Sequence, residues 1–368
     1  MGGMAPPQVR THSPLLGLPG AVAAQGIDEG IAWHYGDPIA EQRAGESAAA
    51  LFDRSNRDLI VVTGDDRLSW LHTVTSQHLS DLPEGATTQA LVLSPTGHVE
   101  HHAVVTHRGG AVYLDTEPGA GAALAGYLDG MRFWSKVEVA TEPDLAILTV
   151  VGPEASTAVA GLDGMAAGDR VDSAVDAAAF TRVTDEGIDL VIAREAITGT
   201  VARLRAAGAT PAGSWASDAL RIPTRRPRWG LDTDEKTIPN EVSWLHTAVH
   251  LDKGCYRGQE TVARVHNLGR PPRRLVMLNL DGSAGTLPDP GDPVTTGAGR
   301  TVGRLGTVAQ HHEWGPIALA LIKRAVEPGT PLLAGGIDAV VDPDDAPDEP
   351  RTPRSAIDHR ALRQIRRA

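Results

Sequence analysis

The sequence predicts an α+β body followed by a small all-β domain, and three observations carry that expectation. Strand-like and helix-like runs alternate from residue 27 to residue 270, short β-like runs separated by Gly and Pro take over after that, and no short-period repeat is visible. A chain of 368 residues is long enough for two or three packed units around sizeable cores. The expected divisions are a disordered arm over 1–26, rich in Pro, Gly and Ala, the body over 27–270, the β-domain over 271–342, and a linker with a basic tail over 343–368.

The elements follow in order. Residues 59–63 (LIVVT) form a strand, and Gly64 with the capping candidates Asp65 and Asp66 ends it. Leu68, Leu71, Val74 and Leu79 then recur at near-helical spacing. Residues 90–93 and 103–106 flank the turn Pro95-Thr96-Gly97, and Arg108-Gly109-Gly110 leads into 111–114, so two hairpins are expected. Residues 118–131 make a small-residue helix whose proline suits the first turn. Residues 136–140 and 145–151 are strands; a second set follows, with a helix at 154–162, strands at 180–183 and 188–193, and a helix at 195–207. The stretch 221–228 holds two prolines and four arginines and reads as a loop. Runs at 275–280, 301–308, 317–322 and 331–341 then suggest a small barrel or sandwich. In the tail, Ile357, Leu362 and Ile365 fall on one helical face, but a solvated tail is expected.

Composition limits the function. The formal charge is −12, with no long basic internal stretch, so direct binding to nucleic acid is not expected. One cysteine excludes an internal disulfide framework and a four-thiolate metal site, and it suits a reducing, cytoplasmic setting. The first 20 residues carry one arginine and no sustained apolar core, unlike a secretory signal, and no window approaches the roughly 20 apolar residues of a membrane span.

The informative stretch is Lys253-Gly254-Cys255-Tyr256-Arg257-Gly258-Gln259-Glu260. It reads as a loop feeding a helix over 259–267, with Gly269 as a left-handed stop. A sulfur just before a helix start, flanked by Lys253 and Arg257, is placed to favour thiolate over thiol. Gly254 and Gly258 permit positive φ or a close approach. On the residues alone, a lone cysteine is more often a small buried apolar residue, so both readings of Cys255 stand.

Taken whole, Lys-Gly-Cys-Tyr-x-Gly-Gln-Glu resembles the signature of the YgfZ branch of the glycine-cleavage T-protein (GcvT) family. Thr261-Val262-Ala263-Arg264 after it and Ile238-Pro239-Asn240-Glu241 before it agree, as do 70–82 (WLHTVTSQHLSDL), 133–137 (FWSKV), Leu220-Arg221-Ile222, 301–307 and 317–322. The resemblance covers residues 26–342. It implies a ring-like arrangement of related α+β units with a small C-terminal β-barrel and a central channel for tetrahydrofolate. It further implies an accessory protein for assembly or repair of iron–sulfur enzymes, tRNA-modifying clients included. Cys255, with Lys253 beside it, inherits the family's functional cysteine.

The sequence also departs from the family. T-protein transfers an aminomethyl carbon to folate with an acidic pair after a Gly-containing turn. His101 and His102 stand there, and a register shifted by one places Glu100 there instead. This argues for accessory function over aminomethyl transfer, which remains the alternative. The family's pterin-gripping glutamate has its nearest counterpart in Glu186, which also reads as a hairpin turn residue. Trp70, Trp134, Trp215 and Trp244 are stacking candidates or core residues. His246 and His250, spaced i, i+4 ahead of Cys255, could hold zinc, but two exposed or capping histidines are the expectation and no resident metal is predicted. The pairs His101-His102 and His311-His312 are expected to point to opposite faces of their strands.

Overall fold

The computed structural model describes residues 12–162 and 180–345. The basic tail and residues 1–11 of the expected arm lie outside that range. Within it, the arm expectation fails. Ser13 donates through its hydroxyl to Asp53 and through its N–H to the Gly30 carbonyl at 2.8 Å, and Leu15 is buried in the core. One apolar side chain and two hydrogen bonds hold a segment whose Pro and Gly content suggested none of this.

The strands β1 (Val22–Ala23) and β2 (Ala32–His34) pair, and α1 (Pro38–Ser47) starts where the Asp37 side chain accepts the Ala40 N–H. β3 (Ala50–Asp53) follows. The chain then builds a five-stranded sheet from β4 (Asp58–Thr63), β5 (Thr87–Leu93), β6 (Val99–Arg108), β7 (Ala111–Thr116) and β8 (Glu138–Thr141), in the order β5-β6-β7-β4-β8. Two helices cover one face, α2 (Arg67–Val74) and α3 (Gly121–Gly130). Their Leu71, Val74, Leu124 and Leu128 pack on Ile60, Val62 and Val105. Each fully buried leucine contributes roughly 1.5–3 kcal/mol. Helix α3 begins three residues later than Pro118 suggested, because the Asp58 carboxylate accepts both the Gly119 and Gly121 N–H groups at 2.8 Å. That acceptor comes from β4, so the local sequence does not announce it.

A second sheet contains β9 (Leu145–Val151), β10 (Phe180–Val183), β11 (Ile188–Ala193) and β12 (Thr210–Ala212), ordered β10-β11-β9-β3-β12. Its β12–β3 pair is parallel, so the chain leaves this sheet after β3, makes the first one, and returns. The helices α4 (Ala155–Ala160) and α5 (Ile197–Ala206) pack on it through Val159, Val201 and Leu204. α6 (Ser214–Arg221), α7 (Trp244–Thr247) and α8 (Gln259–Leu268) connect this body to the last unit.

That unit is a closed barrel of β13 (Arg273–Leu280), β14 (Pro293–Thr296), β15 (Thr301–His311), β16 (Gly315–Lys323), β17 (Leu332–Ala334) and β18 (Ile337–Val341), ordered β13-β16-β15-β14-β17-β18. The α+β body with a small C-terminal β-barrel is therefore the observed architecture. Side-chain alternation divides β13 and β16: Val276, Leu278, Ala318 and Ala320 fill the barrel, while Leu275, Met277, Leu319 and Leu321 pack with Trp244, Tyr256 and Leu91 of the body. The motif tyrosine thus sits in the seam between barrel and body.

Candidate functional site

The two sheets enclose a cavity of about 510 Å³, within the range that ligand sites occupy. Its walls are unusually ionic. Arg182 of β10 reaches across to Asp115 of β7 and bonds Asp189 at 2.9 Å. Arg57 meets Asp115 at 2.7 Å and Glu117 at 3.0 Å. Arg228 donates to Glu117 and to both oxygens of Asp28, all within 2.9 Å. Burial pushes the Asp115 and Glu117 carboxyls up, but the adjacent guanidinium groups outweigh it and hold both below the usual carboxylate range. Asp189 goes the other way: burial prevails and raises it. Both its oxygens are already engaged by Thr149 and Arg182.

Facing this network, His102 lies flat on Trp244, with ring centroids 4.6 Å apart and planes 13° from parallel. Its Nε2 is 2.9 Å from Gln89 Oε1. Burial and the Arg57 charge lower it to about 4, so it is neutral at pH 7. Glu186 sits in the turn between β10 and β11, as its hairpin reading expected, and its side chain also lines the cavity. Burial raises its carboxyl, yet Arg54, bonded at 2.8 Å, and Arg226 bring it to about 2. Arg226 has a buried Nε with no acceptor among the described residues. An aromatic wall, an ionised carboxylate and a guanidinium whose Nη1 meets the Asp185 carbonyl at 3.1 Å but whose Nε is unfilled suit a flat heterocycle that has hydrogen-bond donors and carries its own carboxylates.

The sequence motif lies outside this cavity. Cys255 is exposed, on the loop before α8, and is not among the residues lining the cavity. The expected cationic neighbours point elsewhere. Lys253 is 5% exposed, and its ammonium donates to the carbonyls of His72, Thr75 (2.6 Å) and Gln77 (3.2 Å) at the end of α2. Burial pushes it down to about 8, so it still carries charge at pH 7. It also lies 5.0 Å from the Tyr256 ring centroid. Arg257 pairs with Glu100 at 2.9 Å. The electrostatic argument for a thiolate therefore loses both partners: one is spent on helix carbonyls, the other on a carboxylate.

The glycines divide. Gly258 caps α8 at φ 82°, and a Cβ there would stand 2.5 Å from the Ser94 carbonyl, so the motif nests on the β5–β6 turn. Gly254 adopts no positive φ and faces open space. Gly269 is extended, not a left-handed stop. Gln259 accepts the Tyr256 N–H at 3.3 Å, closing the loop, while Glu260 is exposed in the first turn of α8.

The cavity residues fall within a known pattern: the GCVT N-terminal domain family matches residues 30–253, the CAF17 C-terminal beta-barrel domain family matches 273–348, and Gly254 to Glu260 of the motif lie between the two. The chain belongs to the GcvT family, in its YgfZ-like branch. A chloroplastic protein of Arabidopsis thaliana with a provisional transferase name is 26% identical, over 76% of this chain and 66% of its own length. An aminomethyltransferase of Stenotrophomonas maltophilia is 29% identical, over 76% of this chain and 80% of its own. The glycine cleavage aminomethyltransferase T of Bartonella henselae superposes with a TM-score of 0.73 at 19% identity, covering 91% of this chain and 95% of that one. That last likeness establishes the GcvT fold. Within that fold, His102 lines the cavity, whereas His101 packs near Trp229 at 5.9 Å, which is the alternation expected of a strand. No carboxylate occupies either position.

Other expectations resolve differently. His250 falls beyond α7, beside His78, while His246 lines the cavity; with Cys255 they form no metal-ligand group among the described residues. His311 and His312 do not oppose each other. At the end of β15 their rings stack 4.7 Å apart, and His312 bonds Glu46 of α1 at 2.6 Å. Trp70 is core, Trp215 stacks on Trp33, Trp244 is both core and cavity wall, and Trp134 is 98% exposed. Sequence reasoning missed Arg54, Arg57, Arg182 and Arg228. Its available signal was the arginine-dense 221–228 stretch, read only as a loop.

Proposed function

We propose that this protein is a tetrahydrofolate-binding accessory factor that supports iron–sulfur enzymes in the cytoplasm through Cys255. The observation carrying this reading is the separation of its two sites: an ionic cavity sized for a folate, and a single thiol facing outward from a braced loop. A thiol outside the cavity is available to a macromolecule rather than to the bound ligand. The cavity residues supply binding. Trp244 and His102 offer a stacking face, Glu186 accepts from a pterin's donors, and Arg226 meets carboxylates. Tetrahydrofolate, when bound, supplies one-carbon carrying capacity. Most cavity carboxylates are locked to arginines and His102 titrates far below neutrality, so efficient proton relay is not favoured. Titration with tetrahydrofolate tests the ligand. Rescue of iron–sulfur enzyme activity in a deletion strain tests the rest: wild type restores it, Cys255→Ser does not, and full rescue by Cys255→Ser refutes the role of the thiol.

Aminomethyl transfer is the second reading, favoured by the names of relatives that span three quarters of the chain. Turnover with tetrahydrofolate and a carrier-bound aminomethyl group would establish it.

A further inference from the structure

Two aromatic side chains stand in solvent beside each other, Phe133 at 80% and Trp134 at 98% exposed. Phe133 also adopts φ 44°, a region that bulky side chains avoid; Arg225 is the other non-glycine residue there among those described. The loop is held at both ends. Lys136 N–H donates to Asp66 at 2.8 Å, Ser135 N–H to the Arg132 carbonyl at 2.8 Å, and the Trp70 indole to the Met131 carbonyl at 3.0 Å. Neither exposed ring has an aromatic partner among the described residues. A braced, strained loop that holds large apolar surface in water is the form of a binding anchor.

We propose that Phe133 and Trp134 anchor a partner protein that presents an apolar cleft, and that they do so alongside Cys255. This rests on the reading that protein clients come to that thiol. Two elements couple the loops. Helix α2, eight residues or about 12 Å long, holds the aromatic loop through Asp66 at its start and accepts Lys253 at its end. Helix α3 carries Tyr127, whose ring centroid lies 5.8 Å from the Arg257 guanidinium, and runs directly into the aromatic loop. Charge selects the occupant. Arg132 is paired with Asp129 at 2.9 Å, and Asp65, Asp66 and Glu138 outweigh Lys136, on a chain of net −12. Anionic lipid and phosphate backbones are repelled by that surface, whereas an apolar protein cleft is not.

The test places the photo-crosslinker p-benzoylphenylalanine at position 134 of the full chain, in cells lacking their own copy, with position 314 as the exposed control. Protein adducts that include iron–sulfur enzymes, absent from the control and lost on adding Phe133→Ser, are expected. Adducts only with a second copy, lipid or RNA, or the same adducts as the control, overturn the proposal. The double variant Phe133→Ser/Trp134→Ser is expected to bind tetrahydrofolate within twofold of wild type while iron–sulfur enzyme rescue falls at least fivefold. Full rescue by the double variant, with Cys255→Ser inactive, sinks the anchor and leaves the functional reading intact. Full rescue by Cys255→Ser sinks the functional reading, and the crosslinks then decide the anchor separately.

Discussion

The Lys253 ammonium donates to the Thr75 carbonyl oxygen at 2.6 Å, so the residue expected to activate the thiol instead terminates a helix. The last carbonyls of a helix lack intrahelical partners and carry partial negative charge, and a buried cation answers both needs. Lys253 is two residues from Cys255, so this bond fixes where the sulfur emerges. The motif lysine is a positioning residue by this geometry.

Lys253→Met is therefore expected to destabilise the fold by about 2–4 kcal/mol, since it strands carbonyls that were bonded to a charge. Denaturant unfolding measures that loss. Lys253→Arg should recover part of it, and iodoacetamide alkylation of Cys255 in the variant should remain complete without denaturant. An unchanged midpoint for Lys253→Met would show that the cap is not needed.

Gly258→Ala tests the other brace. The left-handed backbone and a Cβ 2.5 Å from the Ser94 carbonyl act together, because Gly97 on the facing turn is also left-handed and lies 2.9 Å from that Cβ. Neither backbone can yield without moving a hairpin. The strain alone costs about 1–3 kcal/mol. Hydrogen exchange should speed up across both the motif and the β5–β6 turn; exchange confined to the motif contradicts the nesting.

Arg228→Met should be the most damaging of these changes. It leaves Asp28 and Glu117 buried without their shared cation, at a cost of about 3–5 kcal/mol and a fall of about 10 °C in Tm. Adding Glu117→Gln to it should restore part of the loss, because an amide tolerates the missing charge. Additive effects in the double variant would show the two residues are not coupled.

Much of this fold was legible because its strands are apolar and its turns carry Gly and Pro. Residues 59–63, 145–151 and 188–193 needed no tertiary information. The β17–β18 hairpin was read as one run because its turn, Gly335-Gly336, interrupts only three apolar residues on one side. Helix α6 escaped notice because it is only eight residues long and its buried face is built from small side chains, Ala216 and Ala219 with Ser214 and Ser217. The site was legible in part. The motif stood out as a string, but the direction of the Lys253 side chain depends on α2, some 180 residues away in sequence. The cavity network was invisible for the same reason: Arg182 comes from one sheet, Asp115 from the end of β7 in the other and Glu117 from just past it, and each alone resembles a solvated polar residue.

The burial of His102 makes a prediction about pH. Its folded value of about 4 lies below the ordinary 6.5, so between those values the unfolded chain holds a proton that the fold does not. Stability from this group is intact above pH 6.5 and declines as pH falls toward 4, by up to about 3 kcal/mol. Protonation would also place a cation beside Arg57 and against Trp244, disturbing the stacking wall of the cavity. His102→Gln keeps a side chain able to bond Gln89 and removes the titration. Its unfolding midpoint should therefore vary less than that of wild type between pH 6.5 and pH 4, and the two curves should diverge only below pH 6.5. Parallel curves across that window would mean that the imidazole takes up its proton equally well in both states, and so is not sealed against Trp244 as the geometry requires.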